Sequence, residues 1–302
     1  MPVIGIGTWK SDPEKLYNAI VEAVRCGYRH IDCAYIYQNE EIVGEALENL
    51  IRSGEVRREE LWITSKLWNS FHKRKDALPA IELSLKNLRL DYLDLYLVHW
   101  PVALKEGVLF PESAADMYSL EEVPLSETWI GMEECLNRGL AKHIGVSNFN
   151  VEKLERLMET AAVVPEVNQV ELNPYLQQPE LVGYCKKNNI CITAYSPLGK
   201  GDTARQDGLN LFRDPVLTEI AERNKCTVSQ VLLKWGMQRG FVEIPKSVTP
   251  ERIKENFDSL DITLSDDEMM RISTLDKNNR ISFGGVFFKE GGPYTYDSIW
   301  ND

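Results

Sequence analysis

Short, nearly unbroken apolar runs alternate along the chain with longer stretches in which apolar residues recur every three or four positions. Runs of the first kind read as strands buried on both faces, and stretches of the second kind as amphipathic helices. Val3–Ile6 is the first such run, closed by Gly7-Thr8-Trp9. It precedes a helical period over Pro13–Arg25, with Leu16, Ala19, Ile20 and Ala23 on one face and Asp12 as N-cap. Strand Tyr28–Asp32 leads to helix Glu40–Arg52, and strand Leu61–Lys66 to helix Ala77–Leu88. Leu93–Val98 is a fourth strand; a polar insertion with neither period, Lys105 to Val123, separates it from helix Leu125–Asn137, with Ser126 as cap. The pairing continues with Lys142–Val146 and Val151–Thr160, then Glu166–Val170 and Pro179–Lys187. Strand Cys191–Ala194 is followed by a variable loop and two helical stretches, Pro215–Asn224 and Val228–Gln238. Phe241–Ile244 is the last strand, before helices Glu251–Asp258 and Asp266–Leu275 and a tail rich in glycine and aromatic residues.

Eight strand–helix units in strict alternation predict an α/β fold, a single (β/α)8 TIM barrel over residues 1–302 with its active site at the C-terminal ends of the strands. The rival is a doubly wound sheet with a second domain. No G-x-G-x-x-G follows any strand and no Pro-, Gly- or Ser-rich linker divides the chain, so the single barrel is preferred.

Composition narrows the function classes. The 302 residues carry a net charge of −12, which argues against a nucleic-acid or acidic-membrane footprint. No signal peptide or apolar run of membrane-spanning length is present, so no membrane partner is expected. The six cysteines show neither C-x-x-C pairing nor metal-ligand spacing with histidine, which reads as reduced thiols in a cytoplasmic protein. A monomer is expected, with a dimer allowed.

In such a barrel the strand ends converge on one face. They supply Trp9, Asp32 with Tyr37, Lys66, His99 with Trp100, Ser147 with Asn148, Gln169, Tyr195 and Lys246. No Ser or Cys stands in a nucleophile elbow, and only one of the four histidines, His99, ends a strand, so no metal site is expected. A tyrosine hydroxyl is too weak an acid at neutral pH unless a nearby ammonium favours its phenolate. Tyr37 is thus read as general acid, Lys66 as the group that lowers its pKa, Asp32 as the lysine's anchor and His99 as a second donor or relay. The cluster lacks an electron source, so a hydride from a bound nicotinamide is required. Tyr195 offers a stacking face for it, Ser147, Asn148 and Gln169 offer polar groups, and the run Lys246 to Arg252 places cations and hydroxyls around a helix start, a good phosphate seat.

The motifs Gly7-Thr8-Trp9-Lys10, Gly27 to Glu40, Thr64-Ser65-Lys66-Leu67-Trp68, Leu97-Val98-His99-Trp100-Pro101 and Ile144-Gly145-Val146-Ser147-Asn148-Phe149 occur in this order. Val167-Asn168-Gln169-Val170-Glu171, Ala194-Tyr195-Ser196-Pro197-Leu198-Gly199 and Ile244-Pro245-Lys246-Ser247-Val248-Thr249 follow. On these the chain resembles the aldo-keto reductases, most closely their aldose and aldehyde reductase branch, over almost its whole length.

The resemblance implies that Asp32, Tyr37, Lys66 and His99 match the family's catalytic tetrad, and that the cofactor is NADPH/NADP+. Ser147, Asn148, Gln169 and Tyr195 match its nicotinamide contacts, and Gly7, Thr8, Trp9, Ile244 and Pro245 are read as further cofactor contacts. Ser196, Pro197, Leu198 and Gly199 begin the loop over the pyrophosphate. Lys246, Ser247, Val248, Thr249, Arg252, Glu255 and Asn256 match the 2′-phosphate and adenine contacts. Trp9, Tyr37, Trp68, His99 and Trp100 match a pocket for a small carbonyl substrate. The implied reaction is reduction of an aldehyde, such as an open-chain aldose, to its alcohol. Alternatives are a ketone or steroid oxidoreductase of the same family, or an NADPH-binding scaffold with little turnover.

The family's hairpin at the barrel bottom has no counterpart before Met1-Pro2-Val3, and the loop Gly199–Leu211 and tail Ser282–Trp300 follow no family pattern, leaving the substrate open. Taken singly, a strand-end aspartate is more often a helix cap, a lysine a solvated charge and a histidine a bonded core residue. Only their meeting at four strand ends points to chemistry. Trp62, Trp129 and Trp235 are expected in the core.

Overall fold

In the computed structural model, which describes residues 1–201 and 208–301, the apolar runs pair side by side as strands. These are β1 (Ile6–Gly7), β2 (His30–Asp32), β3 (Trp62–Leu67), β4 (Leu93–Val98), β5 (Ala103–Leu104), β6 (Met117–Tyr118), β7 (Ala141–Ser147), β8 (Val167–Glu171), β9 (Cys191–Tyr195) and β10 (Val242–Glu243). Eight of them form one sheet in the order β1-β2-β3-β4-β7-β8-β9-β10, and every pairing in it is parallel. Backbone bridges join Ile4 to Glu243 and Gly7 to Lys246. There the Gly5 amide donates to Glu243 O at 2.8 Å and the Glu243 amide to Val3 O at 2.9 Å. The sheet therefore curls until its two edges meet, which is consistent with a (β/α)8 barrel.

The helices are α1 (Pro13–Cys26), α2 (Glu40–Arg52), α3 (Arg74–Leu88), α4 (Leu125–Asn137), α5 (Val151–Met158), α6 (Pro179–Lys187), α7 (Pro215–Asn224), α8 (Val228–Gln238), α9 (Pro250–Phe257), α10 (Asp266–Ser273) and α11 (Tyr296–Trp300). Asp12 caps α1 as expected, its Oδ1 accepting the Glu14 amide at 3.0 Å. The apolar stripes of the helices close over the outer face of the sheet in one cluster, with Leu16, Leu47, Ile81, Trp129, Leu154 and Trp235 among its members. Leu95, Leu97 and Val167 form a separate, small apolar cluster.

Several expectations are corrected. Ser126 lies inside α4 and Pro124 precedes the helix as its cap residue, because the fixed, extended proline ends the incoming chain one step earlier. Trp62 is only partly buried; its ring stacks on His143, with centroids 5.1 Å apart. The first strand is shorter than Val3–Ile6, since only the seam bridges tie residues before Ile6. The insertion Lys105–Val123 contains β6, which pairs antiparallel with β5 immediately before it. The tail is fastened to that ribbon by Tyr294, whose hydroxyl accepts the Ala103 amide at 2.8 Å and donates to Tyr118 O at 2.7 Å. Part of the loop Gly199–Leu211 lies outside the described residues.

Candidate active site

Asp32, Ser147 and Tyr195 end their strands, Lys66 is one residue from the end of β3, and His99 follows β4 directly. These ends open into a cleft of about 1170 Å³. Lys66 is 0% exposed and lies just beneath Asp32 and Tyr37, which line the cleft. Its Nζ donates to Asp32 Oδ1 at 2.6 Å, to Cys33 O at 2.8 Å and to the Tyr37 hydroxyl at 3.3 Å. Gln169 Nε2 donates to the other carboxylate oxygen, Oδ2, at 2.7 Å. The buried ammonium and carboxylate therefore use most of their bonding capacity on each other and on fixed neighbours, which is the condition for tolerating burial.

Tyr37 sits on a single 3-10 turn, Tyr35–Tyr37, with the Trp9 ring 4.8 Å from its own and the edge of His99 5.8 Å away. His99 is 8% exposed, and its Nδ1 is buried with no hydrogen-bond partner. Burial, reinforced by the Lys66 charge, holds its pKa well below the ordinary histidine value, so the ring is neutral. Burial also works against the charge on Lys66, but Asp32 and Tyr37 outweigh it and leave the ammonium harder to deprotonate than usual.

For Tyr37 the expected direction is reversed. Burial is the largest influence and pushes the hydroxyl up to about 12, although Lys66 pulls the other way through its charge and hydrogen bond. The ammonium's effect is present as anticipated; desolvation exceeds it.

The residues expected at a nicotinamide are brought together, but their polar groups are largely engaged with one another. Tyr195 donates to Asn148 Oδ1 at 2.7 Å, Asn148 Nδ2 donates to His99 O at 2.9 Å, and Ser147 Oγ donates to Gln169 O at 2.8 Å. Asn148 reaches this position with a left-handed backbone, φ 64°.

Every other residue expected to touch cofactor or substrate lines the same cleft: Gly7, Thr8, Trp9, the run Ser196 to Gly199, the run Ile244 to Thr249, Arg252, Glu255, Asn256, Trp68 and Trp100. Lys246 and Arg252 make no ion pair among the described residues. Both flank the start of α9, where Thr249 provides no side-chain cap. Two unpaired cations at an open helix N-terminus are the donor set that a phosphate needs, so the cleft fits a phosphorylated dinucleotide at this end.

Sequence reasoning missed part of the opposite wall. Phe110 from the insertion packs on Trp68 at 5.7 Å, and the tail adds Phe287, which meets Trp100 at 5.4 Å and Trp68 at 6.3 Å. Trp68 is buried, its Nε1 donating to Leu109 O at 2.9 Å, whereas Trp9 is 42% exposed at the rim. The signals were an apolar triplet, Val108-Leu109-Phe110, inside the insertion and the aromatic residues of the tail. Among the described residues no cluster of three or more His, Cys, Asp or Glu could hold a metal ion.

Comparison with known proteins agrees with this geometry. The model of the Aldo/keto reductase family matches residues 3–277. An aldo/keto reductase of Synechocystis sp. is 48% identical across 100% of this chain and 94% of its own length. Aldo-keto reductase family 1 member A1 of Bos taurus is 46% identical across 93% of this chain and 87% of its own. The solved structure of the aldose reductase from Schistosoma japonicum superposes with a TM-score of 0.88 at 43% identity, covering 95% of this chain and 92% of that one. On sequence, fold and relatives alike, the chain belongs to the aldo/keto reductase family.

Proposed function

We propose that this protein is an NADPH-dependent aldehyde reductase, a single (β/α)8 barrel acting at the C-terminal ends of its strands, with Tyr37 as general acid. The observation that carries the reading is the Lys66 ammonium bound to both Asp32 and the Tyr37 hydroxyl just beneath the cleft. A bound nicotinamide supplies the hydride. The chain's own residues seat the carbonyl and provide the proton. Tyr37 is fully protonated at neutral pH, and as it gives its proton to the carbonyl oxygen the growing phenolate charge falls beside Lys66. Asp32 keeps that ammonium charged and aimed, and neutral His99 offers a ring N–H to the same oxygen. Trp9, Trp68, Trp100, Phe110 and Phe287 exclude water and accept an apolar substrate body.

Preference for NADPH over NADH rests on Lys246 and Arg252, which are free to meet a 2′-phosphate. The six cysteines are free thiols, which supports a reducing, cytoplasmic setting. No helix among the described residues is long and apolar enough to cross a membrane.

An absorbance assay of nicotinamide oxidation with a panel of aldehydes, aldoses, ketones and steroids tests the reading. The expected result is the highest kcat/KM for an aldehyde with NADPH. Equal or better use of NADH overturns the cofactor assignment, better turnover of ketones or steroids moves the substrate class, and tight NADPH binding without turnover makes the protein a scaffold.

A further inference from the structure

The tail crosses the cleft without strand or helix between Leu275 and Ser282, so its placement must come from individual contacts. One buried carboxylate lies directly beneath it. Glu171 is the last residue of β8 and is 0% exposed. Its two carboxylate oxygens accept the Ile281 amide at 2.9 and 3.0 Å, and Oε2 also takes the Ser282 amide at 2.6 Å. Two successive backbone N–H groups held by one buried carboxylate are charge-assisted bonds, stronger and more directional than a neutral turn contact.

Around this point the segment is braced further: the amides of Lys277 and Asn279 donate to Tyr175 O at 3.1 and 3.0 Å. Gln178 Nε2 donates to Glu171 O at 2.6 Å, and Arg280 Nη2 donates to Gln178 Oε1 at 3.0 Å. The Arg280 guanidinium lies 3.6 Å over the Trp300 ring, which packs against Trp100 at 5.9 Å. Ile281 and Ser282 themselves line the cleft, and the Ser282 side chain is within hydrogen-bonding reach of Tyr195.

We propose that Glu171 is a positioning residue that clasps the C-terminal segment to β8, and that the clasp sets the width of the substrate end of the cleft by fixing Ile281, Ser282 and the Phe287 that follows. The kinetic half of this inference rests on the reductase reading above; the structural half does not. The clasp acts on substrate fit and leaves the proton donor in place, so its loss falls on KM.

Hydrogen exchange followed by mass spectrometry tests the clasp in the intact protein without any substrate. In the wild type, a peptide spanning 280–284 should exchange at least about tenfold more slowly than an unstructured chain. In Glu171→Gln, which replaces an acceptor oxygen with an NH2 group facing the two amides, that protection should vanish while peptides from β3 and β4 keep theirs. Kinetics with NADPH and 4-nitrobenzaldehyde should then show KM raised about tenfold, with kcat and the NADPH Kd within about twofold. Glu171→Asp, which keeps the charge one methylene shorter, should recover part of both effects. An unprotected 280–284 peptide in the wild type, or protection unchanged in Glu171→Gln, overturns the clasp. A parallel fall in kcat with loosening of β3 and β4 reduces Glu171 to a general stabilising role and overturns the positioning claim. A wild type with the clasp intact but no aldehyde turnover sinks the reductase reading and leaves the clasp standing.

Discussion

Replacing Lys66 by Met keeps the length of the side chain and deletes its charge, leaving Asp32 buried with one polar partner fewer. In the native protein the ammonium, with no solvent exposure, serves three acceptors: Asp32 at 2.6 Å, Cys33 O at 2.8 Å and Tyr37 at 3.3 Å. Gln169 alone then holds the carboxylate, through one bond of 2.7 Å. Removing one member of such a buried pair typically costs about 3–5 kcal/mol, because the remaining charge stays uncompensated. Removing both is far cheaper, so the double variant Asp32→Asn/Lys66→Met should be less destabilised than the sum of the singles by about 1–3 kcal/mol. Urea unfolding of the four proteins of the cycle, at constant m-value, measures this coupling. Sign and pH window follow from the shift: the folded pKa of Lys66 is raised above its ordinary 10.5, so the pair's contribution is complete below that pH and lost only as pH rises through the folded value. A coupling near zero at pH 7, or a loss under about 1 kcal/mol in Lys66→Met, would refute the claim that Asp32 and Lys66 are one electrostatic unit.

Tyr37→Phe should lower kcat by about 10²–10⁴-fold while leaving NADPH affinity near normal, since only the proton donor is lost; stopped-flow turnover with fluorescence binding checks both, and retained turnover means that another group is the acid. His30 is buried, and desolvation lowers its pKa to about 4, so the native state resists a proton that the unfolded chain accepts near 6.5. Stability should be complete above pH 6.5 and fall by roughly 3 kcal/mol as pH drops to about 4. Denaturant titrations of wild type and His30→Gln across that window should show the slope flattened in the variant, and an unchanged slope assigns the acid sensitivity elsewhere. Gly44→Ala ought to gain ~1 kcal/mol by helix propensity. Its new Cβ would sit 2.3 Å from Asn87 O and 2.7 Å from Leu88 C, however, so α2 and α3 must part. Net destabilisation, read by thermal unfolding, is expected, because overpacking against backbone commonly costs 1–3 kcal/mol or more; a stabilised variant would show that the two helices separate freely.

The alternation of apolar runs and amphipathic stretches was enough to predict the order of the eight sheet strands and their helices, because strands buried on both faces and helices buried on one leave distinct periods. The meeting of polar strand ends was legible for a related reason: Asp32, Lys66 and His99 interrupt or end apolar runs where a polar residue must be functional, bonded or at an edge. Sequence reading failed where contacts, not periods, decide. The ribbon β5–β6 has two residues in each strand, too few to show alternation. Phe110 and Phe287 reach the cleft only because the insertion and the tail fold over the same mouth, a juxtaposition no local pattern encodes. The pKa of Tyr37 was misjudged for a comparable reason, since the lysine was visible in the sequence and the depth of burial was not.

The seam between β1 and β10 has a consequence for how the molecule is made. Ile4 bridges Glu243, and Gly7 bridges Lys246, each pair 239 residues apart in sequence. The ring thus stays an open, curling sheet until the last of its strands exists, and β1 waits with an unpaired edge through nearly the whole of synthesis. Closing a loop of that length is entropically slow to nucleate, and it precedes any reward from the contacts that form across it. Because Asp32 and Lys246 face the cleft from either side of the seam, a chain that has not closed its ring has not brought the two walls of the cleft together. Completion of the cleft is therefore a late event in folding, and captures the whole chain at once.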